Sequence, residues 1–165
     1  MSDIIKKIYN FKKFDLLKTE VFKIVDKLDS TQFALQINSE ENNWDQSSGW
    51  LTISDELKFN KIHPSIKGSV LEDYILSSPV KLFRTRIMIL NPNGKSNFTI
   101  HKDPTPRLHL PILTNDQNIF LFPDDNYISR LEASGDIYWC DTTRMHTFIN
   151  YSKETRIHIV STIIK

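Results

Sequence analysis

A chain of 165 residues has the length of one ordinary domain, and folding at that size takes about 70% of the unfolded chain's surface out of water. Its composition, 39% hydrophobic and 25% charged with a formal net charge of +1, excludes a disordered or collagen-like chain. It also leaves no basic excess for nucleic acid or an anionic membrane, so neither partner is expected.

Residues 1–14 alternate loosely, with Ile8, Phe11 and Phe14 as apolar anchors and four lysines between them. A short strand or lead-in with solvated lysines is the expectation. The segment mixes charge and apolar residues too closely for a signal peptide, and no apolar run approaches the ~18 residues of a membrane span. With Cys140 as the single cysteine there is no intrachain disulfide. A cytoplasmic protein is expected.

From 15 to 28 the pattern turns helical: Leu17, Val21, Ile24, Val25 and Leu28 form one apolar stripe, with Asp15 as a candidate N-cap. Residues 38–49, NSEENNWDQSSG, read as a polar surface loop in which Trp44 plugs onto the core. Residues 50–53 suggest a short strand, and His63-Pro64 a turn carrying a surface histidine. A second helix is expected at 69–76, with Val70, Leu71, Tyr74 and Ile75 on its apolar face, ended by Ser77-Ser78-Pro79.

After Pro79 the texture becomes β. Strand-like runs fall at 81–90, 98–101, 107–113, 118–122, 127–133, 136–140, 146–150 and 156–164, separated by turn chemistry such as Asn91-Pro92-Asn93-Gly94 and Ser134-Gly135. Eight short strands at this spacing predict a mainly β fold, a double-stranded β-helix (jelly roll, cupin-like), with the two helices buttressing the outside of one sheet. The expectation is one domain over 1–165: a helical and loop part at 1–80 packs on a β core at 81–165.

The chemistry gathers around HKD at 101–103. Side chains two apart on an extended segment share a face, so His101 and Asp103 can aim an imidazole and a carboxylate at one point. A second imidazole arrives at His146. Two histidines and one carboxylate with the other positions open suit a non-haem Fe(II) oxygenase, although a His-x-Asp pair alone is also what a surface ion pair looks like. Two strands then present Arg-x-His on one side and aliphatics on the other: Arg107 and His109 opposite Leu108 and Leu110, Arg156 and His158 opposite Ile157 and Ile159. Periodicity leaves two readings open. Either the polar side is an outer face over a packed core, or it lines the barrel as a cationic pocket. Arg84 and Arg86 also share a face, and could meet a cosubstrate or an acidic substrate.

The second half of the chain resembles the iron- and 2-oxoglutarate-dependent oxygenases, and within them the aspartyl/asparaginyl β-hydroxylase family with its short bacterial and phage-type members. The residues that carry the resemblance are RTRIMIL (84–90), His101-Lys-Asp103, Arg107-Leu-His109-Leu-Pro-Ile, Thr114-Asn115, Gly135-Asp-Ile-Tyr-Trp-Cys-Asp141, His146-Thr-Phe-Ile-Asn150 and Arg156-Ile-His158-Ile-Val. His146 followed ten residues on by Arg156 is the most specific feature. The resemblance implies that His101, Asp103 and His146 are the catalytic centre and ligate Fe(II), and that Arg156 binds the distal carboxylate of 2-oxoglutarate. It further implies that Arg107 and His109 contact the cosubstrate near the iron. Mammalian-type members carry glycine where this chain has Asp103. The implied activity is that of a dioxygenase using 2-oxoglutarate and dioxygen to hydroxylate an unactivated C–H of a peptide or small-molecule prime substrate, for which a peptidyl Asp, Asn or Pro side chain is a candidate. Two rivals stand beside it: a cupin-type metalloenzyme that does not use 2-oxoglutarate, and an inactive jelly-roll binding module.

Overall fold

The computed structural model describes residues 3–39, 41, 43–95 and 97–164. The elements run β1 (Ile5–Asn10), α1 (Phe14–Val25), β2 (Gln32–Ala34), β3 (Gln36–Ile37), α2 (Ile53–Glu56), β4 (Lys61–Ile62), α3 (Val70–Leu76) and β5 (Phe83–Leu90). They continue with β6 (Arg107–Leu113), β7 (Asn118–Phe122), β8 (Tyr127–Ser129), β9 (Asp136–Cys140), β10 (Thr147–Asn150) and β11 (Arg156–Thr162). A six-stranded antiparallel sheet has the order β1-β9-β6-β11-β5-β2, and a three-stranded sheet the order β10-β7-β8. Two antiparallel sheets with these crossovers form the double-stranded β-helix expected from the strand spacing.

The large sheet is buried on both faces. Ile87, Ile89, Leu108, Leu110, Ile112, Ile157 and Ile159 point to its back, where they form one core with Leu17 and Val21 of α1 and Leu71, Tyr74 and Ile75 of α3. α3 starts on a side-chain cap, the Ser69 hydroxyl accepting from the Leu71 N–H at 3.2 Å. α1 starts one residue earlier than its pattern suggests. Lys13 stands at the N-cap without a side-chain capping bond, and Asp15 lies in the first turn, where its charge faces the helix dipole. The apolar stripe also ends early, Leu28 being exposed beyond the helix.

The N-terminal part does more than buttress, since it supplies both edge strands of the large sheet. β1 is locked beside β9 where the Phe11 N–H donates to the Gly135 carbonyl at 2.8 Å. Gly135 has φ +84°, and a Cβ there would stand 3.0 Å from Phe14 Cβ and 3.1 Å from the Phe11 carbonyl, so the turn needs glycine. Trp44 does plug its loop, its ring stacked on His63 at 3.9 Å and set edge-on to Phe33. His63 is therefore buried rather than on the surface. The strand expected at 50–53 does not form: 50–52 are irregular, and the Thr52 hydroxyl accepts from the Asp55 N–H to start the short helix α2 at Ile53.

Of the eight expected strands, 98–101 is not one. That segment pairs only at His101, and Pro104 and Pro106, which have no N–H to donate, follow it. It crosses the mouth of the barrel as a loop.

Candidate metal centre

His101 and His146 face each other across an isolated antiparallel bridge and exchange both backbone hydrogen bonds, at 3.0 and 2.9 Å. One turn on, the Asp103 N–H donates to the Thr142 carbonyl at 2.8 Å. The ladder fixes both imidazoles and the carboxylate on one side, and their candidate donor atoms lie within 4.8 Å of one another. The His146 Nε2 is 3.7 Å from Asp103 Oδ2. Each imidazole is oriented from behind: His101 Nδ1 lies 2.7 Å from the Thr99 carbonyl, and His146 Nδ1 lies 2.9 Å from that of Arg144. A carbonyl only accepts, so both Nδ1 atoms carry the proton and both Nε2 lone pairs point forward. Burial, working against the nearby Asp103 charge, holds the His146 pKa below its ordinary value and favours the neutral ligand form. The donor set fits a divalent iron: two neutral imidazoles and one carboxylate on one face, the remaining positions open.

Asp103 is gripped by Arg107. Nε and Nη2 donate to its two oxygens at 3.2 and 3.1 Å, a side-on fork. Burial raises the Asp103 pKa, and the guanidinium outweighs it, so the carboxyl sits below its ordinary value. The far edge of Arg107 forks in turn onto Glu56, Nη1 to Oε2 and Nη2 to Oε1, both at 2.7 Å. Nη1 also meets Thr105 Oγ1 at 3.0 Å and the hydroxyl of Thr162. These partners take every N–H of Arg107, leaving none for the cosubstrate contact that the resemblance implies. Arg107 instead orients the carboxylate of the triad.

Glu56 is the residue that the sequence reading missed. It is fully buried on α2, and Arg84 also donates to it. A lone glutamate just past the run read as a short strand carries no signal of this role. Arg84 reaches Glu56 from a bulge. Between Val160↔Arg86 and Thr162↔Phe83, one residue of β11 (Ser161) opposes two of β5 (Arg84 and Thr85), and Arg84 has φ +48°. Its other donors go to the Ser47 carbonyl, at 3.0 and 2.8 Å, and to that of Gly49.

The front face of the large sheet and the loop over its mouth enclose a cavity of about 330 Å³, lined by the triad together with Glu56, Arg84, Arg86, Arg107, His109, Phe148 and Arg156, among others. Of the two open readings, the Arg-x-His faces thus line the barrel interior while the opposite aliphatics pack under the helices. Arg156 is 2% exposed, and its guanidinium carbon lies 4.0 Å over the Phe148 ring. Phe148 was legible: it stands two residues after His146 and so shares its face. Arg156 Nη2 donates to His158 Nδ1, which makes His158 the Nε2-protonated tautomer and a brace for the arginine. Arg156 Nε has no partner, and no carboxylate among the described residues pairs with it. His109 is buried beside Phe120 and Phe148 with Nε2 unpartnered, and burial, then the Arg156 charge, push its pKa well below the ordinary value.

No protein-family model and no curated protein sequence matches the chain. Solved structures do share its fold. A viral collagen prolyl hydroxylase from Paramecium bursaria Chlorella virus 1, in complex with 2OG, superposes with a TM-score of 0.51 at 11% identity, over 98% of both chains. AviO1 from Streptomyces viridochromogenes Tue57 gives 0.54 at 13% identity, over 99% of this chain and 90% of that one. EvdMO1 gives 0.56 at 14% identity, and here the chain spans 47% of the larger protein. At such identities the likeness is one of fold. The chain has the double-stranded β-helix of these proteins, with a candidate metal centre at its mouth. No helix among the described residues is long and apolar enough to cross a membrane.

Proposed function

We propose that this chain is an Fe(II)- and 2-oxoglutarate-dependent dioxygenase that hydroxylates an unactivated C–H. One juxtaposition carries the reading: the His101, Asp103 and His146 donors converge within 4.8 Å at the wall of a cavity that also holds Arg156, a buried arginine without a carboxylate partner. A cation in such a place calls for an anion, and the distal carboxylate of 2-oxoglutarate supplies one. A cupin-type metalloenzyme without this cosubstrate has no use for Arg156, and a binding module has no use for the triad.

His101, Asp103 and His146 would hold the iron, with the backbone carbonyls of Thr99 and Arg144 fixing the imidazoles and Arg107 fixing the carboxylate. Arg156, braced by His158 and Phe148, would hold the far end of the cosubstrate, and His109 would present its unpartnered Nε2 to the part nearer the metal. Iron, 2-oxoglutarate and dioxygen together supply the oxidation, in which the cosubstrate loses carbon dioxide to become succinate and one oxygen atom enters the C–H bond. The aromatic wedge of Phe120, Phe122 and Phe148 keeps water from the closed end. A peptidyl Asp, Asn or Pro side chain is the candidate prime substrate, supported by the resemblance to the aspartyl/asparaginyl β-hydroxylases and by a neighbour that is a prolyl hydroxylase. The reading places the protein in the cytoplasm, where its thiol stays reduced, as one domain whose residues 1–80 complete the site.

The test is succinate formation from 2-oxoglutarate by protein loaded with Fe(II) and exposed to air. Succinate should depend on iron and fall to near background in Asp103→Gly, whose iron affinity drops while its far-ultraviolet circular dichroism stays unchanged. Iron-independent succinate, or full activity in Asp103→Gly, would overturn the proposal.

A further inference from the structure

Four arginines reach the cavity, and two carboxylates face them. Glu56 serves Arg84 and Arg107, and Asp103 serves Arg107. Two cations are therefore left without a carboxylate, Arg156 and Arg86. Arg86 is 8% exposed, Nη1 donates to Gln32 Oε1 at 3.2 Å and the Ser47 carbonyl at 3.0 Å, and Nε has no partner. Nη2 makes no hydrogen bond among the described residues either. Nε and Nη2 form the same side-on edge with which Arg107 grips Asp103, and in Arg86 that edge is free.

The two unmatched arginines are not two hands on one ligand. Arg86 pairs with Val160, four residues along β11 from Arg156, which is roughly 13 Å of strand at about 3.3 Å per residue. A five-carbon diacid that meets Arg156 at one end and the metal at the other leaves Arg86 unsatisfied. Burial pushes both guanidiniums down to about 9, yet a guanidinium keeps its proton inside a protein, so each charge stands there with no carboxylate of the described residues in contact. Gln32 and Ser47 fix Arg86 so that the free edge keeps one orientation.

Building on the function proposed above, we infer that Arg86 is the anchor for a carboxylate of the prime substrate, so that the enzyme acts on an acidic substrate held by a planar two-bond fork. Exposed Trp50 stands at the cavity mouth, where an entering substrate passes before it reaches Arg86.

The experiment uses the full chain loaded with Zn(II) and 2-oxoglutarate, which binds but does not turn over. Isothermal titration measures four capped amino acids as probes, aspartate against asparagine and glutamate against glutamine, each N-acetylated and amidated. At least one acidic member should bind tenfold or more tightly than its amide isostere. In Arg86→Gln that preference should vanish while 2-oxoglutarate affinity stays within about twofold, and Arg86→Lys, which keeps charge but not the fork, should retain only part of it. Equal binding of both members of each pair in the wild type overturns the inference without any variant. So does an Arg86→Gln loss of 2-oxoglutarate affinity as large as that of Arg156→Met, which would give Arg86 to the cosubstrate. If instead 2-oxoglutarate does not bind the metal-loaded protein at all, the function proposed above fails first.

Discussion

The large sheet has two faces built from the same strands, and they obey opposite rules. On the back, Ile87, Leu108, Leu110, Ile157 and Ile159 meet α1 and α3 through apolar contact alone, and each buried side chain stabilises the fold by about 1.5–3 kcal/mol. On the front, one residue along, Arg86, Arg107, His109, Arg156 and His158 are as deeply buried but polar. Some of them are matched and some are not. Arg107 has five N–H groups and a protein acceptor for each, whereas Arg86, His109, Arg156 and His158 each keep a buried nitrogen with no partner. Unmatched polar burial is unfavourable by itself, so the back face supplies the stability that the front face draws down. On the front face, the unmatched atoms of Arg86, His109 and Arg156 belong to residues that line the cavity.

The sharpest way to break this division is to show that part of the front face is structural too. Glu56 faces two buried arginines, and Glu56→Ala would leave Arg84 without a counter-ion and Arg107 with Asp103 alone. Loss of one partner of such a buried pair is expected to destabilise by about 3–5 kcal/mol, read as a lowered midpoint in urea. Iron affinity should fall in parallel, because Arg107 loses the fork that holds it against Asp103. An unchanged midpoint would mean that the ion network only tunes the metal.

Arg156→Met tests the opposite case, a buried arginine with no carboxylate partner among the described residues. Binding of 2-oxoglutarate should weaken about 100-fold or more, about 3 kcal/mol, since its distal carboxylate would be left buried and unpaired. Stability should hold or rise, because an uncompensated charge gives way to an apolar chain of similar length. Equal loss of cosubstrate affinity and of stability would make Arg156 a structural residue. On the back face, Ile159→Val should lower stability by about 1 kcal/mol and leave iron and 2-oxoglutarate affinities unchanged. Coupling from this methyl group to the metal would show that the two faces are not separable.

The alternation that distinguishes the faces was legible, because a period of two is written residue by residue in RLHLPIL and RIHIV. It could not say which face looked inward, and both turned out to be buried. Strand bounds were clear at β9, expected and found at 136–140 just after the Gly135 turn, but the run expected at 127–133 forms only Tyr127–Ser129, and bounds are lost where pairing depends on a distant partner. The 98–101 run is composed like a strand but meets only His146. His101, Asp103 and His146 were legible as candidates because ligand chemistry restricts residue type, and the structure brings their donor atoms within 4.8 Å of one another. Glu56 was invisible, since its partners lie 28 and 51 positions away and nothing local distinguishes it from a solvated acid. The pairing of Arg107 was hidden for the same reason: a motif names an arginine but not the carboxylates that occupy it.

The smallest expected effect lies at the rim, where β1 closes the edge of the sheet. Lys7 Nζ stands 2.6 Å from Asp136 Oδ2, and Asn10 and Ser134 also donate to that carboxylate at 3.0 and 2.8 Å. The Lys7 bond first, then that of Asn10, hold the Asp136 pKa down to about 2, against roughly 3.9 for an aspartate in an unfolded chain. A carboxyl with a depressed folded pKa stabilises the fold fully above the unfolded value, and the contribution fades as pH falls from about 4 through 2. Lys7 is more than half exposed, so water and salt screen the pair and the effect stays small. Asp136→Asn should therefore lower the urea midpoint slightly at pH 6, and the two proteins should converge as the pH approaches 2. A gap that persists at pH 2 would place the contribution in the neutral hydrogen bonds to Asn10 and Ser134 rather than in the charge.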